Sequence, residues 1–223
     1  MRYKIIGGQF PAALCFMNPG EQITCQKGAM IWMDPGIEMQ TSGGGLGKMF
    51  GRALTGEAMF VNNYIARKPG EIAFSSSLPG EIIPIELNGG AIIAQKGAFL
   101  ASDPTVQMEV FLQKKLGAGF FGGEGFLMQK IYGKGTVLIE VDGSSYSYDL
   151  APGQQKIIDT GYLLYMDATC QMSIEGVGGV KNALLGGEGF FNTVVTGPGH
   201  IVLQTMPVNK LAGALASLMP SRG

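Results

Sequence analysis

Apolar and polar positions in this chain fall into short runs separated by turn residues. Tyr146-Ser-Tyr148-Asp-Leu150 alternates with period two, as a strand with one covered face does. Ile82-Ile-Pro-Ile-Glu-Leu87, Thr136-Val-Leu-Ile-Glu-Val141 and His200-Ile-Val-Leu-Gln-Thr205 are β-rich runs bounded by Gly or Pro, and they predict strands as well. Pro84 lies inside one of them and predicts an edge strand or a bulge, because proline donates no ladder hydrogen bond. Helical periodicity is confined to the C-terminus. There Leu211, Leu215, Leu218 and Met219 recur at helical spacing, Asn209 offers an N-cap and Pro220 a stop, which predicts a helix over 207–219. So short a helix is marginal alone and needs a surface to dock on. Cover over a sheet edge or an intersubunit contact suits it better than a membrane-surface anchor, since Lys210 is its lone basic residue. The expected class is all-β with a short C-terminal helix.

The pattern repeats. Gly28-Ala-Met-Ile-Trp-Met-Asp34 aligns with Gly97-Ala-Phe-Leu-Ala-Ser-Asp103 and with Gly161-Tyr-Leu-Leu-Tyr-Met-Asp167, and Met39, Met108 and Met172 follow at equal distance. A turn precedes each copy: Pro19-Gly20-Glu21, Pro79-Gly80-Glu81, Pro152-Gly153-Gln154. Downstream, Thr55-Gly56-Glu57 matches Gly122-Gly123-Glu124 and Gly186-Gly187-Glu188, and Gly70, Gly135 and Gly199 open the closing strands. Ordered landmarks at a nearly constant spacing define a triplicated unit of about 65 residues. The expected organisation is one compact body of three tandem β-sandwich or β-helix-like modules, residues 4–75, 76–142 and 143–206, arranged with pseudo-three-fold symmetry. The ladders Met30/Phe99/Leu163 and Ile31/Leu100/Leu164 are expected in the cores. Trp32/Ala101/Tyr165 and Met33/Ser102/Met166 vary more and are expected to face partners or loops.

Composition narrows the function classes. Sixteen Lys and Arg against 17 Asp and Glu give a net charge of −1, so the chain lacks the general basic surface that nucleic acid or anionic lipid requires. Charged residues are 15%, against about 25% in typical soluble domains, while hydrophobic residues are 46%; some apolar surface is therefore expected to lie under other subunits. Three scattered cysteines, Cys15, Cys25 and Cys170, make no disulfide framework. The N-terminal residues lack a secretory apolar region and no run reaches a membrane span, so a cytoplasmic protein without a transmembrane segment is expected.

The copies act as internal controls for candidate chemistry. His200, the only histidine, aligns with Glu71 and Thr136, a position that takes polar residues generally, so an exposed strand residue is expected rather than a catalytic base. Cys25 aligns with Ala94 and Ile158, and Cys170 with Ile37 and Val106, which makes both small core residues rather than nucleophiles. Gly117-Ala-Gly119-Phe-Phe-Gly122 matches the dinucleotide fingerprint literally, but it runs into further glycines that oppose the helix the motif needs. Gly43-Gly-Gly-Leu-Gly47-Lys48 lacks the first Gly of a P-loop, and Met49 stands where Ser or Thr belongs. Two acidic sets recur in every copy. Asp34, Asp103 and Asp167 follow apolar strands in turn-initiating contexts. Glu57, Glu124 and Glu188 sit among small residues and are the candidates for a shared axial metal site, should three-fold symmetry bring them together; accepting turn amides is the alternative. No catalytic residue and no cofactor is expected.

Tyr3-x-Ile-x-Gly7, Pro19-Gly20-Glu21, Gly28-Ala-Met with Asp34, Leu54-Thr-Gly-Glu57, Gly97-Ala-Phe-Leu-Ala101, and Gly186-Gly-Glu-Gly189 through Gly197-Pro-Gly199 to Val202-Leu-Gln204 resemble the altered-inheritance-of-mitochondria protein 24 family over nearly the whole chain. The resemblance implies a fold similar to the trp RNA-binding attenuation protein, three such modules per chain, and a homo-oligomer, with a trimer favoured. It also implies a supporting rather than catalytic role, since the eukaryotic member is associated with organisation of the mitochondrial inner membrane. It brings no reaction, cofactor or catalytic residue. Specific nucleic-acid binding is not expected, because the lysines do not recur: Lys27 and Lys96 match, but Thr160 takes the third place. The leading expectation is a non-enzymatic, self-associating structural or interaction protein with an unknown protein partner, supporting membrane-associated or multiprotein complexes. The alternative is a small-molecule or metal-binding module that uses sites between repeats.

Overall fold

The computed structural model describes residues 1–40, 61–76, 78–114, 126–176 and 191–218. Their regular structure is strand, apart from a 3-10 turn at Lys96–Ala98 and one helix, α1 (Val208–Leu218). The first third carries β1 (Arg2–Ile6), β2 (Ala12–Met17), β3 (Gln22–Gln26), β4 (Met30–Met33), β5 (Ile37–Gln40), β6 (Val61–Ala66) and β7 (Gly70–Ser75). They form two antiparallel ladders, β1-β2-β7-β4 and β3-β6-β5. The middle third carries β8 (Gly80–Gln95), β9 (Phe99–Ser102), β10 (Val106–Lys114) and β11 (Phe126–Asp142). Here two long strands serve both ladders: Asn88 to Gly80 runs against Lys134 to Asp142, and Gln95 to Ala91 against Met128 to Tyr132, with a register shift between Tyr132 and Lys134. The last third returns to separate strands, β12 (Ser145–Leu150), β13 (Gln155–Asp159), β14 (Leu163–Asp167), β15 (Gln171–Gly176), β16 (Phe191–Thr196) and β17 (Gly199–Gln204), paired as β12-β17-β14 and β13-β16-β15.

Two joints link these thirds. Strand β3 pairs β9, with Cys25 opposite Ala101 and Thr24 opposite Ser102. Strand β8 pairs β14, with Ala94 opposite Tyr165, Ile93 opposite Met166 and Ile92 opposite Asp167. The ladders do not return from the last third to the first: β4 ends one sheet and β13 ends another. A ring closed within one chain by the same joint requires β13 on β4, and that pairing does not occur among the described residues.

One irregularity recurs where each short strand meets its closing strand. The ladders β4·β7, β9·β11 and β14·β17 each skip one residue: Ile31 between Met30 and Trp32, Leu100 between Phe99 and Ala101, Leu164 between Leu163 and Tyr165. A bulge of this kind bends the strand and increases its twist. Leu100 and Leu164 are buried, as expected for a core ladder, but Ile31 is 47% exposed. Conversely Ala101, Ser102, Tyr165 and Met166, expected at partners or loops, are buried, while Trp32 and Met33 are 44% and 38% exposed. The joints explain both departures. Strands β3 and β8 cover β9 and β14, whereas nothing described covers β4.

The cores follow the joints. The first cluster, around Phe74, Ile72 and Met17, takes in Leu100, Ala101 and Leu138 from the middle third. The second, around Phe99, Ile131 and Ile139, takes in Leu164, Tyr165 and Val202 from the last. The third, around Leu163, Met166 and Ile201, takes in Ile93, Phe126 and Met128. Each fully buried leucine, isoleucine or phenylalanine contributes roughly 1.5–3 kcal/mol of apolar burial, so the joints carry core energy as well as hydrogen bonds.

Two expectations resolve locally. Pro84 lies opposite Leu138 on β11, and its other flank is an open edge, because β14 pairs only the far end of β8. The helix begins at Val208, so Asn209 is its second residue and not its cap. The cap comes from the sheet instead: Val208 N–H donates to Asp142 Oδ2 at 3.1 Å.

Candidate functional site

The recurring aspartates have a structural duty that the geometry states three times. The carbonyl of each accepts the N–H three residues on, from Ile37, Val106 and Cys170 at 3.2, 3.1 and 3.1 Å. Each carboxylate then reaches the closing strand: Asp34 Oδ2 accepts from Glu71 N–H at 2.9 Å, Asp103 Oδ2 from Thr136 N–H at 2.8 Å, Asp167 Oδ2 from His200 N–H at 2.8 Å. The recurring glycines are required by this packing. A Cβ on Gly70, Gly135 or Gly199 would stand 3.0, 2.9 or 3.1 Å from the aspartate Cβ, and Gly135 and Gly199 have φ of +135° and +149°.

His200 is a partly exposed strand residue whose Nδ1 meets Asp149 Oδ1 at 2.7 Å across the β12·β17 ladder. All three cysteines are buried and free, and burial pushes the Cys15 and Cys25 thiols up to about 12 and raises that of Cys170. Thiolate chemistry near neutral pH is therefore disfavoured at these positions. Glu57, Glu124 and Glu188 lie outside the described residues, as do Gly43–Lys48 and Gly117–Gly122. Among the described residues no group of three or more His, Cys, Asp or Glu is placed to hold a metal ion, and no helix is long and apolar enough to cross a membrane.

Two features remain; sequence reasoning did not single out the first, and of the second it named only Trp32 and Met33, as facing partners or loops. The first is a cleft of about 440 Å³ where all three thirds meet, lined by Gln26, Gln95, Phe126, Glu140, Asp142 and Gln204. Gln204 Nε2 donates to Gly161 O at 3.0 Å and to Gln95 Oε1 at 3.4 Å, while its Oε1 accepts Asp142 N–H at 3.1 Å. Gln95 Nε2 also donates to Gly161 O, at 2.9 Å. Gln26 Oε1 is buried and has no partner. Gln26-Lys27-Gly28 and Gln95-Lys96-Gly97 are the same tripeptide in two copies, the one sequence signal that pointed here.

Burial raises the Asp142 carboxyl above the ordinary aspartate range, and the Val208 N–H bond only partly offsets it. The fold therefore favours the protonated acid: this group's contribution is fully present below the unfolded pKa and is lost as pH rises through the folded one. Asp142→Asn keeps an acceptor for Val208 and removes the buried charge. It is expected to raise the melting temperature at pH 7, with the gain vanishing below about pH 3.9. Thermal unfolding of both proteins at the two pH values checks this.

The second feature is the pair of uncovered strands. On β4, the consecutive apolar residues Ile31, Trp32 and Met33 are all exposed, beside a backbone edge that is unpaired among the described residues. On β13, Ile157 is 68% exposed beside another. The remaining described edges are of a different kind: β5, β10 and β15 are outermost in all three thirds alike, and β1, residues 80–88 of β8 and β12 end the other ladder of each third. By contrast β4 and β13 are sheet ends where their counterparts are paired. Exposed apolar edges of this kind are association sites unless covered.

Comparison with known proteins places the chain among relatives. Residues 3–206 match the family model described as mitochondrial biogenesis AIM24. An uncharacterized protein of Streptococcus pyogenes serotype M6 is 29% identical over 222 residues, 96% of this chain and 88% of that one. The crystal structure of a Streptococcus pyogenes protein superposes with a TM-score of 0.82 at 26% identity, over 98% of this chain and 99% of the other.

Proposed function

The chain belongs to the mitochondrial biogenesis AIM24 family, and from that premise we propose that it is a non-catalytic, self-associating structural or interaction protein. Its body is three tandem units, 4–75, 76–142 and 143–206, of the kind found in the trp RNA-binding attenuation protein, with the helix Val208–Leu218 appended. The observation that carries this reading is the contrast along one strand position. Leu100, Ala101 and Ser102, like Leu164, Tyr165 and Met166, are buried by a neighbouring unit, while Ile31, Trp32 and Met33 stand open. An apolar strand edge with no intrachain partner is stabilised by covering it, and another protein surface is the natural cover.

A native mass spectrum of gently purified protein tests the reading. A multiple of the 23.5 kDa chain is expected, with three copies the favoured state. A bare monomer at micromolar concentration rejects self-association.

The cleft supports a second reading, a small-molecule-binding module at the meeting point of the units. Its volume lies within the range of ligand pockets, about 300–1,000 Å³, and Gln26, one of its lining residues, carries a buried Oε1 without a partner. A reproducible added mass, one per chain and lost in Gln26→Ala, would bring this reading forward.

A further inference from the structure

Among the described residues the same joint occurs twice, and both halves of a third are left open. Cys25 and Ala94 occupy one position of the repeat, and Ala101 and Tyr165 another; they pair as Cys25–Ala101 and as Ala94–Tyr165. Thr24–Ser102 and Ile93–Met166 are the next equivalent pairs, and Ile92–Asp167 extends the second joint by one residue. Register is thus identical at both joints. The first unit retains the acceptor half of a joint, β4, and the last retains the donor half, β13. Both are sheet ends among the described residues.

We propose that β13 of one copy pairs antiparallel with β4 of the next, in the register of the internal joints, so that copies assemble head to tail. This rests on the self-association reading above and specifies its surface. The register sets Ile158 opposite Trp32, Ile157 opposite Met33 and Lys156 opposite Asp34. Two exposed apolar residues, Ile157 at 68% and Met33 at 38%, thereby cover each other, and a cation faces an anion across the strands. A second copy is the occupant because the joint already exists twice with this chain on both sides of it. Continuing it adds a fourth unit to the third in the geometry that adds the third to the second. The contact is heterologous, joining two different patches, and it closes into a ring when the rotation per copy divides a full turn. A symmetric β4-to-β4 contact has no counterpart inside the chain.

Disulfide trapping on the full-length protein tests the pairing. Opposed residues of an antiparallel pair have Cα atoms about 4.5–5.5 Å apart, within the span of a disulfide. The native thiols are buried and give little background. Neither Met33→Cys nor Ile157→Cys alone is expected to cross-link on mild oxidation. A mixture of the two is expected to give a covalent dimer in many-fold excess over either, and Met33→Cys mixed with Lys156→Cys far less. Ile157→Glu, which puts a carboxylate into the joint and nothing into a core, is expected to shift the native mass to one chain with the melting temperature of the dilute protein unchanged. Cross-linking by Met33→Cys alone would overturn the proposal in favour of a symmetric contact. A doubly substituted chain that closes at monomer mass would overturn it by placing β13 on its own β4. Native oligomers that no mixture traps would overturn the register and leave self-association standing. A wild-type protein that is monomeric throughout would remove both.

Discussion

Gly80→Ala is expected to destabilise the protein by about 3 kcal/mol or more, a large fraction of the roughly 5–15 kcal/mol that holds a typical domain together. The Cβ of alanine would fall inside the contact radius of the Val141 carbonyl oxygen and 3.0 Å from Gly143 N. These are backbone atoms and cannot rotate away. The segment is pinned from both sides, since Gly80 N–H donates to Gln9 O at 2.8 Å and Gly143 N–H to Pro79 O at 2.9 Å. Relief therefore requires β8 and β11 to separate where Gly80 faces Asp142. Gly20→Ala, at the equivalent sequence position, meets nothing within 4 Å and suffers only from its φ of +87°, a cost of about 1–2 kcal/mol. Gly90→Ala has open space and an ordinary φ, and should stay within about 0.5 kcal/mol of wild type. Urea denaturation midpoints of the three variants should fall in that order. A Gly80→Ala protein as stable as Gly20→Ala would refute the packing at the start of β8.

Leu100→Ala is expected to cost about 2–5 kcal/mol, while Ile31→Ala, at the matching register shift on β4, should cost less than about 1 kcal/mol. Both residues are the one skipped by the bulge in their ladder. Leu100 is 1% exposed and belongs to the first core, which reaches it across the β3·β9 joint; Ile31 is 47% exposed. Deleting three carbons from Leu100 leaves a cavity that its neighbours close only in part, whereas water fills the space left by Ile31. The comparison belongs on dilute protein, below the concentration at which copies associate. A loss of 2 kcal/mol or more for Ile31→Ala there would mean that β4 is covered within the chain, and it would remove the surface on which self-association rests.

How much was legible from sequence depended on how local the cause was. The Asp and Gly landmarks were readable because one turn and one strand crossing fix them: Asp103 must cap Thr136, and Gly135 must stay small beneath it, wherever the unit sits. Strand class was readable at Tyr146–Leu150 and Thr136–Val141 for the same reason, since period and β-branching act within a few residues. The cap of α1 was not, because Asp142 comes from 66 residues away and displaces the local candidate Asn209. The cleft was half visible. The tripeptide Gln-Lys-Gly repeats, but Gln204, from the last third, and Asp142, from the far end of β11, join it only through tertiary packing. The candidate set Glu57, Glu124 and Glu188 lies outside the described residues.

Burial along β4, β9 and β14 marks the division most clearly. Composition, turn spacing and repetition determined an all-β chain with a C-terminal helix, and nothing in Ile31-Trp32-Met33 distinguishes it from Leu100-Ala101-Ser102 as a strand. Which of the two lies in the core was decided by tertiary structure alone. Strand pairing between units is a contact between residues far apart in the chain, and a linear series of identical joints necessarily leaves its first and last halves uncovered.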